Sequence, residues 1–352
     1  MPGPLDRLIY SASQSLRRSF FYGHYLVATA AQRRGARPAP AAEGAAMPTR
    51  AALQADLQAA FAADWQAIRD GRYAMPHDLL ADPRAAIRAS LAYLDDLRSV
   101  TDRRRRRAHQ EVAEAPAAAG LPRYYRQNFH YQTDGYLSDR SAALYDFQVE
   151  VLFGGAADAM RRAALPPIGA ALAAAGREAR LLDVACGTGR FLTMVKDNWP
   201  RLPVVGVDLS APYLARARRD LRPWRGVTLA QAAAERLPLP DASIDVASCV
   251  YLMHELPPRV RTAVAAEIAR VLKPGGRLVL VDSIQHGDRP DFDPLLDRFP
   301  AAFHEPYYAS YLDADLPAIF AGAGLRPGAA DRRFLTKIVV FDKPAPCDTL
   351  AP

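Results

Sequence analysis

From residue 180 onward the chain alternates short apolar runs with stretches whose apolar residues recur every three or four positions. That is the pattern of a parallel sheet with helices on both faces. It predicts strands over 180–185, 203–208, 227–231, 244–249 and 277–282. A helix over 258–272 carries Pro258 in its first turn, presents Val260, Val264, Ile268 and Val271 on one face, and stops at Lys273-Pro274-Gly275-Gly276. A helix near 316–323 and two extended segments, 325–334 and 336–342, follow, and the last two could close the sheet as an antiparallel edge hairpin.

Upstream the periodicity is helical. Residues 5–31 can form an amphipathic helix, and 33–50 is a run of Ala, Pro, Arg and Gly that cannot bury a core. Leu53, Leu57, Phe61, Trp65 and Ile68 repeat at helical spacing, as do Ile87, Leu91, Leu94 and Leu97. After the Ala/Pro-rich break at 114–122 comes an aromatic, polar segment, 124–146, leading into a helix that carries Val149, Val151, Leu152 and Phe153. The expected division is a basic arm and linker (1–50), a small helical domain (51–118), a lid segment with its helix (119–178) and an α/β domain (179–344).

The 352 residues, 50% hydrophobic and 24% charged, exclude fibrous and wholly disordered classes. The apolar stretch at 20–31 is well short of the ~20 residues that cross a bilayer. Cys186, Cys249 and Cys347 have neither disulfide-framework nor zinc spacing, so no metal site and a reducing, cytoplasmic setting are expected. Up to Arg126 there are 19 basic and 12 acidic residues, and the remainder holds 26 of each, so the whole net charge of +7 is N-terminal. Any anionic partner, lipid headgroup or nucleic acid, is expected to meet that region, and the arm over 1–50 should be removable without loss of the chemistry. The Arg103 to Arg107 run reads as a solvated helix face with this second use open to it.

The candidate chemistry begins where the first strand runs into Asp183-Val184-Ala185-Cys186-Gly187-Thr188-Gly189. Two glycines at a strand-to-helix turn let backbone approach a ligand. A dinucleotide site would want a third glycine where Leu192 stands. A phosphate-free adenosine ligand fits better, with Asp208 taking the ribose hydroxyls and Asp183 securing the turn.

In these motifs the sequence resembles the class I S-adenosylmethionine-dependent methyltransferases, in the small-molecule branch that includes the ubiquinone and menaquinone C-methyltransferases. Asp183 to Gly189 resembles the family's first motif, and Val207-Asp208-Leu209-Ser210 its ribose-binding strand end. Ala234-Glu235-Arg236-Leu237-Pro238 with Ser243-Ile244-Asp245 resembles its adenine-side loop and fourth strand, and the segment from Leu272 to Leu278 the turn before its fifth strand. The resemblance implies a Rossmann-like seven-stranded sheet of order 3-2-1-4-5-7-6 with an N-terminal helical appendage. It also implies S-adenosylmethionine as cofactor, held by Asp183, Ala185, Gly187, Gly189, Asp208, Leu209, Ala234 and Glu235, with Tyr136 of the lid near the sulfonium. Ala233 departs from the usual Asp, leaving adenine to backbone groups near Ala234.

Tyr251, His130 and Tyr307 are expected in the acceptor pocket, and His254 and His304 are the candidate general bases beside a packing role for each. The expected acceptor is a small, apolar molecule of quinone, polyketide or prenyl-lipid type. Two rivals remain at this level: a nucleic-acid methyltransferase using the basic region, and a non-catalytic cofactor-binding protein. Against the first, Val250-Tyr251-Leu252-Met253 lacks the Asn/Asp-Pro-Pro-aromatic loop of base amino-methylating enzymes.

Overall fold

The computed structural model describes residues 3–33, 46–79 and 82–345. Most of the expected 33–50 linker, and Cys347, therefore lie outside the described residues.

Helices α1 (Pro4–Arg33), α2 (Arg50–Arg69), α3 (Pro83–Arg106), α4 (Asp139–Leu152), α5 (Ala157–Arg162) and α6 (Leu165–Ala175) precede the sheet. Strand β1 (Leu181–Val184) leads into α7 (Arg190–Asn198), β2 (Val204–Asp208) into α8 (Ala211–Asp220), and β3 (Val227–Gln231) runs on to β4 (Ile244–Val250). Helix α9 (Pro258–Val271), β5 (Leu272–Ser283), α10 (Asp293–Phe303), α11 (Tyr308–Leu312), α12 (Leu316–Gly322), β6 (Arg326–Arg333) and β7 (Thr336–Asp342) complete the chain.

The strand order is β3-β2-β1-β4-β5-β7-β6. β7 runs antiparallel to both β5 and β6, and the remaining pairings are parallel. The apolar alternation of β1 explains the layering: Leu182 and Val184 face one core with α9 and α12, and Leu181 faces the other with α6 and α7. β5 starts five residues earlier than its apolar run suggests, because Leu272 pairs with Ile244 before the Gly275-Gly276 turn shifts the register.

The N-terminal helices are packed onto this frame. α1, α3 and α4 share one cluster around Phe21, Tyr93, Leu97 and Phe147, while α2 meets α5 around Phe61 and Met160. No helix among the described residues is long and apolar enough to cross a membrane.

Candidate active site

The strand order reverses between β1 and β4, which is where doubly wound sheets open a crevice for ligands. A cavity of about 770 Å³ lies there, walled by Ala185 and Gly187 after β1, Asp208 and Leu209 at the end of β2, and Val250 to Leu252 after β4. Ala185 (φ 58°) and Gly187 (φ 53°) both take left-handed backbone, so the chain turns sharply at the cavity wall. A Cβ on Gly187 would meet nothing nearer than Tyr213 at 3.9 Å. Gly189 answers a different demand. It lies off the cavity wall, and a Cβ there would come within 2.9 Å of Leu221 and 3.0 Å of Ala217, so it lets α7 and α8 pack.

The Asp208 carboxylate accepts the N–H groups of Gly187 and Ser210, each at 2.8 Å, and its burial lifts the carboxyl to about 6. Asp183 sits under the turn rather than on the wall. It takes the Ser248 hydroxyl at 2.7 Å, and burial raises it to about 7. Leu209, Ala232 and Ala234 form an apolar flank. Glu235 accepts the Tyr124 hydroxyl at 2.9 Å on each oxygen and so ties the upstream segment down instead of facing the cavity.

That upstream segment forms the roof. Tyr124, Tyr125, Phe129, Tyr136 and Tyr145 line the cavity with Tyr213 of α8. Phe129 stacks on Tyr136 at 5.6 Å, Tyr213 meets Tyr136 edge-on at 5.5 Å, and Ser210 donates to the Tyr136 carbonyl at 2.5 Å. Tyr251, on the floor, bonds Thr336 at 2.8 Å and lies 5.7 Å beneath the Arg161 guanidinium. The basic run at the end of α3 is partly built into this roof. Arg103 is buried and donates to the Tyr131 carbonyl at 3.1 Å and to Thr133 at 2.9 Å, while Arg104 covers the Phe303 ring at 4.8 Å.

Charged groups collect at the inner end. Glu255 lines the cavity and accepts the Tyr136 hydroxyl at 2.6 Å. His130 Nε2 lies 3.9 Å from Glu255 and 2.9 Å from Glu305. Burial opposes a charge on His130, but Glu305 and Glu255 outweigh it and lift the imidazole to about 10. His254 is buried against Asp282 at 2.5 Å; burial again opposes the charge, and Asp282 raises it to about 9. The pairing with Asp282 thus favours the protonated ring. His304 stacks on His109 at 4.0 Å, off the cavity wall, and burial with the neighbouring His109 and His130 lowers it to about 4. Tyr307 packs behind the roof with Phe129 and Tyr136 without reaching the wall.

A second cavity, of about 1170 Å³, lies between α1, α3, α4 and the end of α10. Ala28, Tyr93, Leu97, Val100, Val149, Leu152 and Phe303 make it predominantly apolar. His130 lines it, and Tyr145 lines both cavities, so the charged cluster stands at their junction. Sequence reasoning placed Glu255 and Glu305 in acceptor-side segments without a role of their own, and missed Asp282 and this second cavity.

The first cavity suits a phosphate-free, cationic adenosine ligand. Among the described residues on its wall are two carboxylates, Asp208 and Glu255, and no lysine or arginine, beside a face of aromatic rings that favours a cation. The model of a methyltransferase domain family matches residues 181–276. The ubiquinone/menaquinone biosynthesis C-methyltransferase UbiE of Syntrophotalea carbinolica is 39% identical over 150 residues, which are 42% of this chain and 60% of that protein. The demethylmenaquinone methyltransferase of Deinococcus radiodurans is 38% identical over 142 residues, 40% of this chain and 56% of that one. The chain thus spans somewhat over half the length of these two relatives. Against UbiE of Desulfotalea psychrophila it is 30% identical over 205 residues, 53% of this chain and 79% of that protein. With the sheet order and the cavity at its switch point, these matches show that the chain belongs to the class I S-adenosylmethionine-dependent methyltransferases, in the branch of the ubiquinone/menaquinone C-methyltransferases.

Proposed function

We propose that this protein methylates a small molecule with an apolar body and a polar head, of quinol type. The observation that carries the reading is the junction of two cavities: a cation-accepting one at the glycine turn and an apolar one among the N-terminal helices, separated by Tyr145 and the His130 cluster.

The turn at Ala185 to Gly187 admits the amino-acid end of S-adenosylmethionine, Asp208 accepts from the ribose, and Leu209, Ala232 and Ala234 flank the adenine. When bound, the cofactor supplies an electrophilic methyl on a sulfonium. Tyr136 and its neighbouring rings face that cation and exclude water, and cation–π attraction contributes about 0.5 to 2 kcal/mol. The apolar body of the acceptor fills the space beside Tyr93 and Leu97, which fixes its head at the junction; alignment of this kind can be worth ~7 to 11 kcal/mol. The relatives' names, which concern demethylmenaquinone and ubiquinone biosynthesis, support a quinol-type head.

Nucleic-acid methylation is less well supported, because Arg103 and Arg104 of the basic run are committed to the roof and to Phe303. Incubation with S-adenosylmethionine and reduced naphthoquinones, with and without a prenyl tail, tests the proposal by mass spectrometry. A product heavier by one CH₂ is expected. Leu97→Trp should raise KM for the tailed acceptor several-fold and leave cofactor affinity unchanged. An equal effect on tailed and tailless acceptors would remove the second cavity from the reading, and no methylated product from any quinol would remove the acceptor class.

A further inference from the structure

Among the described residues, Glu305 stands out as a buried carboxylate. It is 1% exposed, and neither carboxylate oxygen has a hydrogen-bond partner, although His130 Nε2 stands 2.9 Å from one of them. An ionised carboxylate buried in this way is strongly unfavourable without a compensating cation. A single imidazolium could satisfy one oxygen and would leave the other bare.

The neighbours supply the rest of a donor set. One ligand atom each from His130, Glu255 and Glu305 lies within 4.8 Å of the other two. An ion bonded at about 2.1 Å to each donor asks for separations of about 3 Å between adjacent ligands and about 4.2 Å between opposite ones. The observed 2.9 Å and 3.9 Å lie within that range, and the third separation is no more than 4.8 Å. The three residues come from three separate segments: the roof, the turn after β4, and the turn between α10 and α11. His130 and Tyr131 both hold left-handed backbone, at φ 56° and 55°, a conformation that persists only where the surroundings enforce it.

We propose that His130, Glu255 and Glu305 bind one divalent first-row transition ion at the junction of the two cavities. One imidazole with two carboxylates suits manganese, iron or zinc better than an all-oxygen ion such as calcium. Three protein ligands leave coordination positions open. Those positions would take a hydroxyl or keto oxygen of the acceptor, and a hydroxyl held there ionises more readily, as a nucleophile for methyl transfer requires. The ion also joins the roof to the floor of the first cavity. Its binding stands apart from the proposed acceptor class; only its use toward an acceptor oxygen rests on that reading.

The test is a titration of the chelator-treated, full-length protein with Mn²⁺, read by loss of the free-ion electron paramagnetic resonance signal, with S-adenosylhomocysteine binding measured on the same samples. One Mn²⁺ per chain, displaced by Zn²⁺, is expected. Glu305→Gln and Glu255→Gln should each weaken Mn²⁺ by about a hundredfold, since even outer-shell partners of a metal site cost ~10- to 100-fold. Glu305→Gln, which lies off the wall of the first cavity, should keep its affinity for S-adenosylhomocysteine, which certifies the fold, and an unchanged circular dichroism melt certifies Glu255→Gln. No Mn²⁺ bound at millimolar concentration, or undiminished binding by a folded Glu305→Gln or Glu255→Gln protein, overturns the site. Intact Mn²⁺ binding without S-adenosylhomocysteine binding would instead overturn the cofactor reading.

Discussion

At the residue scale, Asp208 turns the geometry into a pH dependence. Burial holds its carboxyl near 6 in the free protein, above the ordinary carboxylate value of 3.8. Hydrogen bonds from ribose hydroxyls favour the ionised form, so binding must pull the proton off wherever it is still present. Affinity for S-adenosylhomocysteine is therefore expected to be flat above about pH 7 and to fall below 6, by at most about tenfold per pH unit. Calorimetry in two buffers of different ionisation heat should show proton release near pH 6. Asp183, also raised, titrates over an overlapping range, and Asp208→Asn separates the two by removing the acid limb. An affinity unchanged from about pH 5 to 8 would mean that Asp208 does not meet the ribose. The acidic residue at this strand end was legible because motif and spacing are local. Glu305 was not: it joins His130 and Glu255 only after three segments have folded together, so no sequence spacing announces the set.

At the element scale, legibility followed the periodicity. Helix α9 and strands β1, β2 and β4 follow their apolar patterns closely, because each buries the face its sequence displays, and β3, at the sheet edge, half-buries Val227, Leu229 and Ala230. The amphipathic first helix was equally visible, but its role was not. Arg17 of α1 pairs with Glu150 at 2.8 Å and with Asp158 at 2.7 Å, and Asp158 also holds Arg190, the first residue of α7 behind the glycine turn, at 2.5 Å. An arginine in a basic N-terminal helix gives no hint of acidic partners in distant helices, which is why the helix read as dispensable. Arg17→Met should destabilise the fold by about 3 to 5 kcal/mol, the usual consequence of leaving a buried charge uncompensated, here Glu150, since Asp158 keeps Arg161 and Arg190. Urea denaturation measures this, and a change under ~1 kcal/mol would show that α1 rests on the surface without anchoring it.

At the scale of the whole molecule, the N-terminal helices and the sheet should behave as one unit. Asp64 of α2 accepts the Tyr10 hydroxyl of α1 at 2.6 Å, the Tyr73 hydroxyl at 2.6 Å and both arms of Arg162 from α5 at 2.9 and 2.6 Å. Asp56 of α2 pairs with Arg289 at 2.8 Å and with Arg332 of the edge strand β6 at 2.7 Å. These ties are buried or half-buried, and opening α2 alone would strand carboxylates and guanidinium groups together, so separate unfolding of the appendage is disfavoured. Hydrogen exchange in increasing urea is the suitable measurement, because it resolves the opening free energy of each segment. The slowest amides of α2 and of β4 should share one opening free energy. S-adenosylhomocysteine at a hundred times its dissociation constant should raise both by about 2.7 kcal/mol, although no residue of α2 lines its cavity. Exchange of α1 to α3 at lower urea than β4, and indifferent to the ligand, would show that the helices fold apart from the cavity they wall.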